Sequence, residues 1–227
     1  ISVTDLEGDN ETTLVDKIEG VESYRLSEDA SSLAYMQVND IESHLYFVIE
    51  SNSESIDLSG KVHRIADYEF AYGSNELLYI TEEVNEEGRG MLRLYLRSKG
   101  DDPISEGSNL GAGFIPESQS LLYLVGDEDG EQELNVYSLD TGKETEILEG
   151  EDLQFKILDI SSPTGALALS TEEDEFTLYG IKADDRKVTE LLNESDASLT
   201  RLVEVRGESI LYLETVNEDL QSSLFVV

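Results

Sequence analysis

The side chains that could do chemistry in this sequence are above all carboxylates. Fifty-one Asp and Glu stand against fifteen Lys and Arg, for a net charge of −36. Five short stretches concentrate them: NDIES (39–43), TEEVNEEGRG (81–90), GDEDGEQE (126–133), STEEDE (170–175) and ETVNEDL (214–220). Together these hold eighteen carboxylates and one basic residue, Arg89. Clustered negative charge steers a cationic partner at long range. Paired carboxylates also serve glycoside hydrolysis at separations of ~5 Å, but here any two could fall at that distance, so the pairing carries no signal.

Other chemistry lacks its parts. Asp127, Asp129 and Gly130 imitate part of an EF-hand loop. Val125 stands where the first calcium ligand belongs and Val136 where the closing Glu belongs. The match fails, and weak Ca2+ binding by the acidic loops is the only cofactor chemistry left open. His44 and His63 are the only histidines and have no ligand spacing. There is no Cys, no G-x-S-x-G and no phosphate-cradling Gly loop. We expect no catalytic residue, no metal site and no cofactor, hence no enzyme. Asn10-Glu11-Thr12 and Asn193-Glu194-Ser195 match the glycosylation sequon, at the frequency that chance gives.

The chain of 227 residues, 39% of them hydrophobic, can bury a large core, roughly 70 to 75 per cent of its unfolded surface. A charge of −36 repels nucleic acid and anionic membranes, so neither is expected as a partner. No apolar run approaches the ~20 residues that would span a bilayer, which argues against direct membrane insertion. The start at Ile1 and the strand-like end Leu224-Phe225-Val226-Val227 read as a piece of a longer polypeptide.

The elements that position the carboxylates repeat. SSLAYM (31–36), NELLYI (75–80), QSLLYL (119–124), TGALALS (164–170) and ESILYL (208–213) align on Tyr35, Tyr79, Tyr123, Ala168 and Tyr212, at spacings of 44, 44, 45 and 44. Such a period, made of short strands and turns, is a signature of propeller blades. The expected fold is all-β: a β-propeller of four-stranded antiparallel blades, with about five blades' worth of chain and essentially no helix. First strands are read at 23–29, 67–73, 111–117, 155–161 and 201–207, with the Tyr-bearing runs second. Third strands fall at 44–50, 91–97, 133–139, 176–182 and 222–227, and weaker fourth strands at 59–65, 143–148 and 187–192. The N-terminus adds a third and a fourth strand, for about 21 in all. Residues 1–227 thus read as one propeller domain, or a large part of one, whose first and last blades are incomplete.

The approach to the second strand, SEDASSLAY (27–35), IPESQSLLY (115–123) and SSPTGALAL (161–169), resembles the S-P-D-G-x-x-L-x-Y motif of TolB-like propellers. The same motif marks the propeller domain of dipeptidyl peptidase IV and prolyl oligopeptidase relatives. This sequence departs at the Asp-Gly, which is Asp29-Ala30 in one repeat. The resemblance implies blades that recognise proteins or gate a separate catalytic domain.

In a propeller the loops joining second to third strands open on one face. The acidic stretches are those loops, and Arg97, Lys99, Lys143, Lys182, Arg186 and Lys187 belong to the opposite one. The candidate docking residues are Glu82, Glu86, Asp127, Asp129, Glu172 and Asp174. The plainer reading makes them solubility devices that block edge pairing, and acidity spread along the whole chain favours it. The expected function is a non-enzymatic module binding a protein or peptide with a basic surface, as an extracytoplasmic part of a larger protein. The alternatives are a gating propeller of a hydrolase and a structural or assembly subunit.

Overall fold

The computed structural model describes residues 2–4, 11–13, 18–39, 42–49, 55–59, 64–84, 90–127, 130–157, 165–172, 175–182, 187–195, 199–206, 210–216 and 222–226. Strands β1 (Ser2–Thr4) and β2 (Glu11–Thr13) form an antiparallel pair, with Val3 opposite Thr12. A first whole sheet follows as β3 (Val21–Leu26), β4 (Ser32–Asn39), β5 (Glu42–Ile49) and β6 (Ile56–Asp57). The second contains β7 (Arg64–Phe70), β8 (Leu77–Val84), β9 (Gly90–Leu96) and β10 (Ser105–Gly107). The third contains β11 (Asn109–Phe114), β12 (Ser120–Gly126), β13 (Gln132–Ser138) and β14 (Glu144–Gly150). The fourth contains β15 (Gln154–Ile157), β16 (Ala166–Glu172), β17 (Glu175–Lys182) and β18 (Lys187–Ser195). A three-stranded sheet, β19 (Leu199–Arg206), β20 (Ile210–Val216) and β21 (Ser222–Val226), completes the order. In every sheet neighbouring strands are consecutive in the chain.

These make 21 strands among the described residues, the number the repeat implied. The chain forms two compact units, Ile1–Glu106 and Gly107–Val227. Among the described residues one short 3-10 turn, Arg97–Lys99, is the single helical element, in line with the expectation of essentially no helix.

Second strands sit inside their sheets with a partner on each side, and so read as continuous apolar runs. Leu121, Leu122 and Tyr123 of β12 are fully buried, and Leu33, Ala34, Leu77 and Ala168 are no more exposed than that. The repeat tyrosines Tyr35, Tyr79 and Tyr123 are all buried, as their blade period requires; the side chain of Tyr212 lies outside the described residues. Tyr35 stacks on its cross-strand partner Tyr46, and Tyr79 on Tyr95, each with ring centroids 5.1 Å apart. Such pairs contribute roughly 0.5 to 1.5 kcal/mol beyond their buried area. Burial, with Tyr95 and Asp101 adding to it, pushes the Tyr79 phenol up to about 12, so it stays neutral.

The turn from first to second strand repeats in its hydrogen bonds as well as its sequence. The amides of Ser27, Ala71 and Ile115 donate to the carbonyls of Ser32, Glu76 and Ser120, at 2.9 to 3.0 Å. The amides of Ala30, Ser74 and Ser118 donate back to the carbonyls of Ser27, Ala71 and Ile115. Each set steps by 44 residues. Closing so tight a turn needs a left-handed residue, supplied by Ala30 (φ 56°), Gly73 (φ 66°) and Glu117 (φ 57°). Ala30, at the glycine position of the resembled motif, adopts it with strain, whereas in the next two repeats the left-handed residue falls one position earlier, at Gly73 and Glu117. Asp29 stabilises that turn by accepting from the Ser27 hydroxyl at 2.7 Å and the Ser31 amide at 3.0 Å. Those bonds hold its carboxyl below the usual carboxylate range.

Of the expected fourth strands, β14 and β18 fall where the sequence placed them, and the one at 59–65 does not. Residues 59–65 are not one strand: β6 precedes them, pairing Ile56 with Phe47 and Asp57 with Tyr46, while Arg64 and Ile65 open β7. The Asp57 carboxylate explains the early stop. It accepts from both the amide (2.9 Å) and the hydroxyl (2.6 Å) of Ser59, which turns the chain away. β10 was not anticipated, because Ser105-Glu106-Gly107 carries no apolar signal.

In the first unit the two whole sheets share a core of Leu45, Phe47, Leu77 and Tyr79, among others. Their first strands meet through polar groups. The Ser23 hydroxyl and the Tyr68 phenol lie 2.7 Å apart, and the Arg25 guanidinium sits 5.7 Å from the centre of the Tyr68 ring. The Ile65 amide donates to the Ser43 hydroxyl at 2.6 Å. In the second unit Ile115, Leu122, Leu134, Val136, Leu153 and Ile181 form one continuous buried cluster.

Candidate functional site

The described parts of the acidic stretches belong largely to strands rather than loops. β8 runs through Glu82 and Glu83 to Val84, and β16 and β17 continue until Glu172 faces Glu175. Glu42, Glu82, Glu83, Glu172 and Glu175 therefore stand on strands, where cross-strand neighbours decide their state.

Each anticipated docking residue has its own surroundings. Glu82 faces Arg64 in register, with Oε2 3.5 Å from the guanidinium. Asp127 closes its own hairpin: Oδ1 accepts from the amides of Gly130 (2.9 Å) and Glu131 (3.0 Å), while its amide donates to the Glu131 carbonyl. Ser108 adds a hydroxyl bond of 2.6 Å to the Asp127 carbonyl. Glu172 is exposed and stands directly opposite another carboxylate, Glu175, an arrangement that costs stability. Glu86, Asp129 and Asp174 lie outside the described residues.

Sequence reasoning missed the arginines that reach this end from the strands. Arg93 bonds Glu83 at 2.8 Å and Glu106 at 3.1 Å, and Arg64 pairs with Glu82. For Arg64 the pairing is hidden because a single fourth strand over 59–65 takes that residue out of the β8 register. At the other blade end Lys182 faces Lys187 in register, whereas Arg97 lies 4.6 Å from the centre of the Phe47 ring and donates to the Asn75 carbonyl. Like charges thus oppose one another at both ends of the fourth sheet.

Ser59, His44 and Asp57 have a catalytic composition but the wrong geometry. Asp57 (3.4 Å) and Ser59 (3.3 Å) both approach the same imidazole nitrogen, Nδ1. A nucleophile needs its base on the far nitrogen. The buried Ser59 hydroxyl donates its hydrogen bond to Asp57 instead. Glu42 approaches Nε2 at 3.8 Å. Among the described residues no three His, Asp or Glu side chains converge as metal ligands, and no helix is long and apolar enough to cross a membrane.

No family model and no curated protein sequence matches the chain. Solved structures do. Dipeptidyl peptidase 4 of Porphyromonas gingivalis aligns with a TM-score of 0.59 at 9% identity, over 95% of this chain and 40% of that one. The β-propeller domain of the trilobed protease from Pyrococcus furiosus, described as having an open velcro topology, aligns at 0.53 and 12% identity, over 93% and 69%. The fold is a β-propeller. An oligogalacturonate lyase in complex with manganese gives 0.51 and 12% identity, over 98% and 69%. The chain therefore spans 40 to 69% of these proteins, and the likeness is one of fold. The TolB-like and peptidase-propeller resemblance read from the second-strand motif stands at that level.

Proposed function

We propose that this propeller is a non-enzymatic binding module that docks a protein or peptide with a basic surface. On this reading residues 1–227 form a single propeller domain or a large part of one, in an extracytoplasmic portion of a larger protein. The observation that supports docking is the Glu172–Glu175 pair: two carboxylates held in register at a hairpin end, at a cost a basic partner would relieve. Arg93 and Arg64 neutralise part of the second sheet's end, so the attraction is strongest where no arginine crosses.

The test neutralises Glu82, Glu86, Asp127, Asp129, Glu172 and Asp174 by Glu→Gln and Asp→Asn changes. Asn at 127 keeps an oxygen for the two hairpin amides, so the fold is spared. Partner capture from the native source should fall with this variant, mainly through a slower association that depends on salt. A variant of Lys143, Lys182 and Lys187 should capture as the wild type does. Equal capture by all three proteins would leave the carboxylates as solubility devices.

A further inference from the structure

Tyr24 and Tyr68 hold the same position of the repeat in different surroundings. Tyr24 stands opposite Tyr35 and Leu26 opposite Leu33, as Tyr68 stands opposite Tyr79 and Phe70 opposite Leu77. Yet Tyr68 is 5% exposed, whereas Tyr24 leaves 58% of its surface to solvent and Leu26 37%. What covers Tyr68 is the first strand of the preceding sheet. Ser23 and Arg25 of β3 face it, the hydroxyl 2.7 Å from the phenol and the guanidinium 5.7 Å from the ring centre. Side chains alternate along a strand, so Tyr24 and Leu26 lie on the other face of β3. The sheet before it, β1 with β2, has two strands among the described residues. The repeat alignment makes these a third and a fourth strand, so neither takes the place over Tyr24 that β3 takes over Tyr68.

The uncovered area has a definite width and charge. Beside it on the same face Leu33 and Tyr35 are buried, with Ile18 and Val21 packed against them. Only the strip over β3 is open, which is the width of one extended strand. The face carries the carboxylates of Glu42 and Asp57, on either side of His44. It has no Lys or Arg, because Arg25 points the other way. A second copy of this chain, at −36, is repelled by such a face, whereas a basic strand is drawn to it.

We infer that the open strip over Tyr24 and Leu26 docks an extended strand of a basic partner, one that presents a hydroxyl side chain and, two residues on, an Arg or Lys. The hydroxyl meets the Tyr24 phenol and the cation lies over its ring, as Ser23 and Arg25 do at Tyr68. This rests on the basic-partner reading above but uses none of the hairpin-end carboxylates.

Fluorescence anisotropy with the full chain tests it, using a fluorescein-labelled Ser-Val-Arg-Val-Ser-Val-Arg-Val peptide. Its Ser and Arg share one face of an extended strand. The control peptide Arg-Ser-Val-Val-Arg-Ser-Val-Val has the same composition and charge but splits them between faces. The first peptide should bind about fivefold more tightly than the control. Tyr24→Ala should bring that ratio down to about one, and Tyr24→Phe, which keeps the ring, to about threefold. Glu172→Gln with Glu175→Gln should leave the ratio unchanged, and thermal melts establish that each variant folds. A ratio of one in the wild type, or a ratio that survives Tyr24→Ala, overturns the strip. So does self-association in sedimentation equilibrium that Tyr24→Ala abolishes, since the occupant is then a second copy. Loss of native-partner capture in the hairpin-end variant, with a ratio of one in the wild type, leaves docking standing and removes the strip alone. An intact ratio with unimpaired capture supports the strip and removes the hairpin ends alone.

Discussion

Ser23 with Tyr68 and Gly111 with Phe155 occupy corresponding places, one repeat apart, on successive first strands. In the first unit a hydroxyl meets a phenol at 2.7 Å, with a guanidinium over the ring. In the second, the Phe155 ring takes the room Gly111 leaves: a β-carbon at 111 would stand 3.4 Å from it. Close by, a β-carbon at Gly165 would come within 2.5 Å of the Ile115 side chain. One backbone repeat thus supports a wet seam and a dry one, chosen by two side chains. The bulges at Glu22 and Ala66 widen the wet seam, whereas the β11–β12 register runs without a skip from Asn109 to Phe114.

The dry unit should suffer most from truncation. Tyr123→Ala removes a fully buried ring and should cost roughly 3 to 5 kcal/mol in denaturant unfolding. A loss within ~0.5 kcal/mol would show that β12 is not a central strand. The next comparison sets the seams against each other directly. Ile115→Ala, at a site 1% exposed, should cost about 2 to 4 kcal/mol. Met36→Ala, at the half-buried edge of the wet seam, should cost less than about 1 kcal/mol, because water already reaches it. Equal losses would erase the distinction between the seams.

Smaller effects probe the wet seam alone. Ser23→Ala deprives the Tyr68 phenol of its partner and should cost roughly 0.5 to 1.5 kcal/mol. The smallest effect is a pH dependence. Burial raises the Glu69 carboxyl above its usual range; Arg25 opposes the shift and Asp67 adds to it. A carboxyl whose folded value is raised favours the native state while protonated, and that contribution is lost as pH rises from its unfolded value through its folded one. Glu69→Gln should therefore raise the melting temperature at neutral pH relative to wild type, and the gain should vanish near pH 3. A gain that persists in acid would assign the effect to packing.

Much of the architecture could be read from the residues, because a central strand must be apolar on both faces and a left-handed turn selects few residue types. Tyr35, Tyr79 and Tyr123 show the first, and Gly73 the second. Edge strands escaped because solvent permits any polar residue there: β10 is Ser-Glu-Gly, and β6 is ended by a side-chain bond from Ser59 to Asp57 rather than by its apolar pattern. Charge was legible in amount but not in pairing. Whether Glu82 is compensated depends on Arg64 lying opposite it, and register is set by three-dimensional pairing that a carboxylate count ignores. The bulges at Glu22 and Ala66 escape for the same reason, since a bulge is a skipped partner and leaves no mark in composition.

The polar links in the first unit share an arithmetic with a temporal consequence. Ser23 to Tyr68, Glu28 to Gly73 and Ser31 to Asn75 join residues 45, 45 and 44 positions apart. Such contacts close loops of one repeat, so the entropy of ordering them does not grow as more repeats are added. A nascent chain can latch each sheet to its predecessor as soon as one further period has left the ribosome. Synthesis itself then sets the order of assembly in this part of the molecule, from the amino end forward.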